Sequence, residues 1–252
     1  MNKIVEIRDL KFSYPNGNNV LNGIDMNFYG SEICGICGPN GCGKTTLLKI
    51  IAGIFKKYYG DIRINNCELS SLGYKEISRL VSYVPGDINT PFDFTVYDVI
   101  LMGRAPYLGF MDSYSNSDRK AVVDVSDMLG IGYLSERYFS SLSNGEKQIV
   151  LIAQSLVQKT PLILMDEPTS HLDINHRLKI FDTLKKVSEK EGVSILVVIH
   201  DIKLAADYCN RLVFIKNGVI SLDSRADNII NSIEKLSDIY SISPASVKRY
   251  IV

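Results

Sequence analysis

A glycine-rich loop near the start of the chain constrains the fold more than any other feature of the sequence. The loop fits the pattern GxxxxGK[ST] and reads Gly38, Pro39, Asn40, Gly41, Cys42, Gly43, Lys44, Thr45 and Thr46. The run before it, Glu32–Cys37, is mostly apolar and predicts a strand. The run after it, Lys44–Ile54, carries leucine and isoleucine at helical spacing and predicts a helix. A phosphate-binding loop requires this context between a strand and a helix.

The residue types of the loop suit a nucleoside triphosphate and its metal ion. Glycines let the backbone curl so that successive N–H groups point at phosphate oxygens. Lys44 supplies a charge for the β- and γ-phosphates, and Thr45 supplies a hydroxyl for Mg²⁺. An ordinary glycine turn would leave the Lys-Thr pair unexplained. We therefore predict that all nine residues bind the nucleotide, and that Lys44 also contributes to catalysis; the family resemblance given below implies that the nucleotide is ATP.

Two carboxylates follow directly after a second apolar run. Leu162–Met165 is the pattern of a parallel strand buried on both faces, and Asp166 and Glu167 come next. Ligands bind beyond the carboxyl ends of such strands. A solvated strand end is the alternative, which the phosphate loop on the same chain disfavours. We predict that Asp166 holds Mg²⁺ through water, and that Glu167 polarises the attacking water as a general base.

Composition fits a single globular unit without a broad nucleic-acid surface. The chain has 252 residues, of which 46% are hydrophobic, and 28 basic residues balance 28 acidic ones. The longest apolar runs, Leu162–Met165 and Ser194–Ile199, are too short to cross a bilayer. The N-terminal residues lack the apolar stretch of a signal peptide. We expect a soluble, cytosolic chain in which any membrane role comes through a partner.

Short apolar runs alternate with helical patterns along the chain, which indicates an α/β fold. We expect strands at Lys3–Arg8, Gly23–Tyr29, Glu32–Cys37, Asp61–Asn65, Leu162–Met165 and Ser194–Ile199. We expect helices at Lys44–Ile54, Thr95–Met102, Asp118–Leu129, Gly145–Gln158, Asn175–Lys190 and Ile202–Asn210, and a hairpin at Asn217-Gly218. The pattern predicts one domain, 1–252, with a core of about 1–86 and 150–252 and a helical subdomain of about 87–149.

Cys34 and Cys37 form a CxxC motif, which raises the question of a metal or redox site. They lie in a predicted strand, where residues three apart point to opposite faces. The sequence offers no second CxxC and no nearby histidine to complete a zinc site. We expect buried, reduced thiols, with a metal role as the minor alternative.

Further segments, in a fixed order along the chain, resemble the motifs of ABC ATPases. Leu142–Gln148 reads LSNGEKQ and resembles the signature motif LSGGQ or LSGGE. Ser170–Asp173 resembles the D-loop of that family, and His200 resembles its switch histidine. Tyr14 matches the aromatic residue that stacks on adenine. Together with the phosphate loop and the acidic strand, these motifs make the chain similar to ABC ATPases over nearly its whole length.

The resemblance implies an architecture and a set of further site residues. It implies a P-loop NTPase core, an N-terminal antiparallel β layer, an inserted helical subdomain and a head-to-tail homodimer. In that family each ATP lies between one subunit's phosphate loop and the other's signature, so that ATP closes the dimer and hydrolysis opens it. The residues implied to contact nucleotide are Tyr14, Ser143, Gly145, Glu146 and Asp173. His200 is implied to touch the γ-phosphate and to act in catalysis.

Two positions depart from the family's pattern. Gly86 stands where members usually carry a glutamine that reaches Mg²⁺ and the attacking water. Asp87 is one residue out of register to replace it, so the hypothesis that follows is slower hydrolysis with ATP binding largely kept. Asn144 stands where the signature usually has glycine, and we expect this change to be tolerated because Ser143 and Gly145 remain.

One segment resembles a particular group within the family. Asp98–Gly109 is similar to the V-x-x-G-R-x-P-x-x-G stretch of ATPases that power import of iron–siderophore, haem or cobalamin. This resemblance implies two permease subunits, an indirect partnership with an extracytoplasmic substrate-binding protein, and a place at the cytoplasmic face of the membrane. It also implies a groove near 86–107 for a permease helix. The apolar patch expected there, which could instead pack inside the subdomain, comprises Phe92, Phe94, Tyr97 and Tyr107.

Other functions remain open on the sequence alone. A soluble ABC ATPase outside transport, for instance in iron–sulfur assembly or DNA maintenance, is the main alternative; the DNA version would need a coiled-coil insertion or a basic stripe. A hydrolysis-impaired ATP-binding module is a further alternative because of Gly86, although Glu167 is retained. A kinase or GTPase would leave the signature and His200 unexplained.

Overall fold

The computed structural model describes residues 3–15, 17–86, 93–169 and 172–251, apart from the side chains of 250 and 251. Within these residues the strands are β1 (Lys3–Ser13), β2 (Asn19–Tyr29), β3 (Ile33–Cys37), β4 (Tyr59–Ile64), β5 (Cys67–Glu68), β6 (Val81–Val84), β7 (Leu162–Asp166), β8 (Ser194–Val198), β9 (Arg211–Lys216) and β10 (Val219–Arg225). The helices are α1 (Lys44–Ile51), α2 (Tyr74–Leu80), α3 (Val96–Leu101), α4 (Asn116–Leu129), α5 (Asn144–Val157), α6 (Ile174–Glu191), α7 (Ile202–Tyr208), α8 (Ile233–Tyr240) and α9 (Pro244–Ile251).

The strands form two sheets that share an apolar core. One sheet is antiparallel, in the order β2-β1-β4-β5. The other has the order β10-β9-β3-β8-β7-β6, and its neighbouring strands are parallel except for the β9–β10 hairpin. The carboxyl ends of β3, β6, β7 and β8 therefore lie along one edge, where a ligand site is expected.

The parallel strands are apolar throughout because both of their faces are covered. In β3, Cys34 and Ile36 pack toward the antiparallel sheet and α1, whereas Ile33 and Cys37 pack toward the helices on the other face. Strands of this kind lose alternation and appear as continuous apolar runs. This is why they could be predicted from the sequence.

The structure confirms the predicted α/β fold class with its antiparallel N-terminal layer. The predicted strands and helices are present with ends that differ by a few residues, and β1 and β2 are longer than expected. The hairpin turn at Asn217 and Gly218 has φ values of 52° and 77°, as a type I′ turn requires. The sequence analysis did not predict α2 or α9, and α2 buries a single residue, Ile77.

The segment between β6 and β7 consists mainly of helices that pack on one another. Val99, Val122 and Val150 are among its buried residues. The division into a core and a helical subdomain at about 87 and 149 stays a prediction, and α5 runs across the second boundary. In the described ranges of the chain, no helix has both the length and the apolar character needed to span a lipid bilayer.

The two cysteines of the CxxC motif lie on opposite faces of β3, as its register predicts. Both Cys34 and Cys37 are buried and free. Burial raises the pKa of the Cys37 thiol to about 12, and it raises the pKa of the Cys34 thiol well above its usual value. Both side chains therefore behave as small apolar groups of the core.

Candidate functional site

The phosphate loop joins the end of β3 to the start of α1 through two constrained glycines. Gly38 and Gly43 have φ values of 141° and 109°. A Cβ at Gly38 would lie 2.2 Å from the carbonyl oxygen of Ile215, and a Cβ at Gly43 would lie 2.6 Å from Leu21 Cδ2. Both the backbone conformation and the close contacts therefore require glycine at these positions.

Lys44 is enclosed by the loop that precedes it. Its side chain is 6% exposed, and its ammonium donates hydrogen bonds of 2.9 Å to the carbonyl oxygens of Gly38 and Pro39. A buried cation needs such acceptors, and anionic oxygens form stronger hydrogen bonds with it than neutral carbonyls do. The loop thus holds a cation that can exchange its partners for phosphate oxygens.

Thr45 connects the loop to the acidic end of β7. Its hydroxyl donates a hydrogen bond of 3.0 Å to Asp166 Oδ1. Asp166 is 6% exposed, and burial raises the pKa of its carboxyl, while the Thr45 hydrogen bond acts in the opposite direction. A hydroxyl and a buried carboxylate this close provide the hard oxygen ligands that Mg²⁺ prefers. The residues present therefore fit a magnesium site.

Glu167 and His200 meet beside the loop. Glu167 Oε1 lies 2.6 Å from His200 Nε2, and the Glu167 backbone has a φ of 50°, which is uncommon for a residue other than glycine. Such strain persists only where the surrounding fold imposes it, and it concentrates at functional sites. The turn aims a carboxylate past the end of β7 toward the loop.

These elements enclose what we call the phosphate-loop cavity, an open space of about 630 Å³. Its volume is in the range of small-molecule sites. It is lined by Tyr14, Val20, Asn40, Gly41, Gly43, Lys44, Thr45, Thr46, Glu167 and His200. Residues from five separate parts of the chain thus converge on one space.

Tyr14 lies at one side of this cavity with a fixed ring. Its hydroxyl and Thr46 Oγ1 are 3.1 Å apart and share a hydrogen bond. The ring packs edge-on against Phe12 and Phe55, with centroid distances of 5.1 and 5.8 Å. An aromatic ring held in this way can offer a surface for a flat base.

A second space, which we call the signature cavity, lies at the start of α5. It measures about 450 Å³, and its lining includes Ser143, Asn144, Gly145, Glu146, Asp173, His176 and Lys179. Ser143 caps α5, and Glu146 Oε2 accepts hydrogen bonds of 2.8 Å from the Ser143 N–H and hydroxyl. These bonds lower the pKa of the Glu146 carboxyl, with a smaller contribution from Arg137.

Asp173 plays the corresponding part for α6. It caps this helix by accepting a hydrogen bond of 2.9 Å from the His176 N–H, and its other oxygen lies 2.8 Å from His176 Nδ1. The backbone hydrogen bond and the His176 side chain lower the pKa of the Asp173 carboxyl. The ends of two helices, each with a capping carboxylate, therefore face the signature cavity.

The structure divides the predicted site residues into two groups. Six loop residues line one cavity together with Glu167, His200 and Tyr14, and Asp166 lies just behind Thr45. Gly38, Pro39 and Cys42 of the loop are not part of that lining. The signature residues and Asp173 line the other cavity. The two linings share no residue. Asp87, Phe92, Ser170 and His171 lie outside the described residues. The sequence did not predict that Val20, His176 and Lys179 line these cavities, because none of them belongs to a recognisable motif.

The two departures from the family's pattern have different surroundings. A Cβ at Gly86 would lie 2.9 Å from the carbonyl oxygen of Asp166, so this glycine allows β6 to approach the acidic strand end. Asn144 is exposed at the start of α5, next to Ser143.

In the expected apolar patch, Phe94 and Tyr107 are partly exposed and Tyr97 packs against the core.

Comparison with known sequences identifies relatives along most of the chain. A protein-family model described as ABC transporter matches residues 21–170. The petrobactin import ATP-binding protein of Bacillus anthracis is 32% identical over 236 residues, which cover 94% of this chain and 85% of the relative. The cobalamin import ATP-binding protein of Halobacterium salinarum is 34% identical over 203 residues, or 80% of this chain and 50% of the relative.

Comparison with solved structures agrees with the sequence relatives. A dimeric ATP-binding cassette in a post-hydrolysis state, bound to ADP and Pi, superposes with a TM-score of 0.79 and 28% identity. The superposition covers 88% of this chain and 98% of that one. The described phosphate-loop cavity lies in a chain of this fold. The protein therefore belongs to the ABC transporter family, among its ATP-binding, ATP-hydrolysing members.

Proposed function

We propose that this chain is the ATPase subunit of an importer for iron–siderophore, haem or cobalamin, acting at the cytoplasmic face of the membrane. The convergence of Lys44, Thr45, Glu167 and His200 on one cavity carries the proposal of ATP hydrolysis. The relatives named for import of petrobactin and cobalamin support the transport role. The segment Asp98–Gly109 supports the same group, and nothing in the described residues favours a soluble ATPase outside transport.

ATP binding is proposed to replace bonds that the free protein makes with itself. The phosphates take the place of the Gly38 and Pro39 carbonyls beside Lys44. Thr45 and Asp166 would hold Mg²⁺, which would supply positive charge to neutralise the phosphates. The adenine stacks on Tyr14. For Lys44 the exchange replaces two neutral carbonyl acceptors with anionic phosphate oxygens, which favours the nucleotide complex.

Hydrolysis is assigned to the pair beyond β7. Glu167 accepts a proton from the attacking water, as a carboxylate placed next to the phosphates can. His200 now bonds Glu167, and a turn of its ring toward the γ-phosphate leaves the Glu167 carboxylate available for water. Gly86 contributes no side chain, so we expect slower hydrolysis than in relatives with glutamine at this position.

A homodimer completes the site. The signature cavity shares no lining residue with the phosphate-loop cavity, and this separation supports a head-to-tail pair in which each ATP lies between the two. Ser143 and Gly145 of the partner subunit then contact the phosphates, with Glu146 and Asp173 at the same interface. The dimeric cassette found among the solved relatives supports this arrangement.

A groove between α2 and the 3₁₀-helix Met102–Tyr107 is the proposed seat of the permease. Its volume is about 580 Å³, and its apolar lining includes Ala52, Ile54, Ile77, Met102 and Pro106. Phe110 and Met111 are 94% and 89% exposed on the following turn. Two permease subunits would each place a cytoplasmic helix in such a groove, and the substrate-binding protein would act through them.

The test is Mg²⁺-dependent ATP hydrolysis by the purified protein and by its Glu167→Gln variant. We expect the variant to bind ATP and to lose at least about 100-fold in turnover, the usual scale for a general base. Undiminished turnover would remove Glu167 from this role. Co-purification of the wild-type chain with a membrane-spanning partner tests the transport role, and purification only with soluble proteins would contradict it.

Substitution at Gly86 needs care in the same assay. A Gly86→Gln change brings a Cβ within 2.9 Å of the Asp166 carbonyl oxygen. It therefore displaces the backbone at Asp166 as well as adding a side-chain amide. Gly86→Ala adds the same Cβ without the amide and is the matched control. Faster turnover in Gly86→Gln than in Gly86→Ala would support the proposed cost of the missing glutamine, and equal turnover would contradict it.

A further inference from the structure

A buried glutamine of α5 reaches the end of β6, next to Gly86. Gln148 is 1% exposed, and its Nε2 donates a hydrogen bond of 3.3 Å to the Pro85 carbonyl oxygen. Its Oε1 has no hydrogen-bond partner in the described part of the chain. A buried amide with an unmet acceptor is costly to fold. Stability alone therefore does not account for a glutamine at this position.

The contact continues from Gly86 to the end of the catalytic strand. The position of a Cβ on Gly86 lies 2.9 Å from the Asp166 carbonyl oxygen, so the two backbones are in close approach. β6 and β7 are also paired as far as Val84 and Met165. A shift of the Pro85–Gly86 backbone is therefore transmitted to Asp166, because close-packed groups leave little room to absorb it.

We propose that Gln148 is a positioning residue for ATP hydrolysis, which holds the Pro85–Gly86 backbone against Asp166 and couples it to the signature helix α5. The inference rests on the proposed roles of Asp166 and Glu167. Ser143 caps the same helix, so a nucleotide bound at the signature would contact the helix that carries Gln148. With glycine at position 86, this link to the acidic strand end runs through backbone and not through a side chain.

The same helix supplies a matched control. Gln158 is the C-cap residue directly after α5, and its Nε2 donates hydrogen bonds to the carbonyl oxygens of Ser78 and Val81. Val81 pairs with Leu162 at the start of β7, which is the end away from Asp166. Gln158 therefore also ties α5 to β6, but at the opposite end of the strand.

The experiment measures kcat and KM for ATP in the wild type, Gln148→Met and Gln158→Met. Methionine keeps the length of the side chain and removes the hydrogen bond. We expect Gln148→Met to lower kcat about tenfold with KM within about twofold, the pattern of an interaction that matters in the transition state. Gln158→Met keeps both constants near the wild-type values, and equal shifts in Tm exclude loss of stability as the cause.

A double-mutant cycle tests whether Gln148 acts through residue 86. Gly86→Ala presses a methyl group on the Asp166 carbonyl oxygen. If both changes disturb one link, the Gln148→Met and Gly86→Ala effects on kcat do not multiply, whereas those of Gln158→Met and Gly86→Ala do. Gln148→Leu, which has no polar side-chain atom and cannot donate, repeats the test if the methionine variant fails to fold.

Two outcomes separate this inference from the proposed function. Equal kcat in Gln148→Met and Gln158→Met, or effects that multiply in the Gly86 cycle, overturns the positioning role. Undiminished turnover in Glu167→Gln overturns the proposed function. The positioning role is supported if kcat falls only in the Gln148 variants and if the effects of Gln148→Met and Gly86→Ala on kcat do not multiply.

Discussion

The phosphate-loop cavity and the signature cavity are built in different ways from the same chain. In the phosphate-loop cavity, side chains are joined across long stretches of sequence, as Thr45 is to Asp166 and Tyr14 is to Thr46. The sheet holds these partners together, and the whole fold must form before the cavity exists. Lys44 and Asp166 are nearly inaccessible to water.

The signature cavity depends on local structure. Ser143 bonds Glu146 and Asp173 bonds His176, each three residues along at the start of a helix. Ser143, Asp173 and His176 are exposed and Glu146 is partly exposed, and the bonds are those of ordinary helix caps. On the proposed function, the first cavity binds ATP with the residues of one chain, whereas the second acts only on a nucleotide held by a partner subunit.

Removal of the buried Lys44 ammonium gives the largest expected effect. It tests whether the phosphate-loop cavity binds ATP with the residues of one chain. Lys44→Ala removes the group that now bonds Gly38 and Pro39 and that we assign to the phosphates. We expect ATP affinity of the isolated chain to fall by about 100-fold or more, because charged hydrogen bonds in a buried site are strong. Fluorescent nucleotide titration measures it, and affinity within a few-fold of wild type would contradict the assignment.

Removal of the signature cap tests the other half of the comparison. Ser143→Ala should lower turnover about tenfold or more, because a hydrogen bond to a charged group contributes about 1.5–3 kcal/mol, while ATP affinity of the isolated chain stays unchanged. Ser115 caps α4 through the same arrangement with Asp118 and provides the control. Both variants should lose about 1 kcal/mol of stability. Equal turnover in Ser143→Ala and Ser115→Ala would show that Ser143 is a cap and nothing more.

The contrast also explains which parts of the site the sequence predicts. The phosphate loop, the acidic pair and the apolar strands follow from patterns with a local physical cause, such as glycines in a tight loop and a strand buried on both faces. The Tyr14–Thr46 and Gln148–Pro85 contacts do not, because they depend on how distant elements pack. Gln148 ends the signature-like segment, but its residue type gives no sign that the side chain is buried.

The short helix α2 was missed for a related reason. Ile77 is its one buried residue, so no apolar period marks it. Its start is fixed by the Gly73 N–H, which donates a hydrogen bond of 2.7 Å to Glu76 Oε2. A glycine offers no capping side chain, and the usual signal for a helix start is absent. The α2 side of the proposed permease groove could therefore not be predicted from the sequence, whereas the side near 102–107 falls in the expected stretch.

The contributions of Asp166 and Glu146 to folding stability should change with pH in opposite directions. Burial raises the pKa of Asp166, so its charge opposes folding above that pKa, and the penalty is absent below the unfolded value near 3.8. We expect Asp166→Asn to raise stability by about 1 kcal/mol at pH 7 in the free protein. The gain should shrink as pH falls toward the unfolded pKa.

Glu146 supplies the opposite case in the signature cavity. Its pKa is lowered by bonds from Ser143, so its contribution is present above the unfolded value near 4.5 and is lost as pH falls through the lowered pKa. Glu146→Gln should cost a few tenths of a kcal/mol at pH 7, since the group is partly exposed. Chemical denaturation of both variants across pH measures the difference, and parallel pH profiles would contradict it.

The smallest expected effect concerns the hydroxyl of Tyr14. That hydroxyl bonds Thr46 in the free protein, whereas stacking on adenine needs only the ring, which Phe12 and Phe55 hold edge-on. Tyr14→Phe should therefore leave ATP affinity within about twofold of wild type, while Tyr14→Ala should lower it about tenfold, the scale of base–aromatic stacking. A GTP titration run beside ATP shows whether the ring also reads the base. Equal losses in Tyr14→Phe and Tyr14→Ala would assign the hydroxyl, and not the ring, to nucleotide binding.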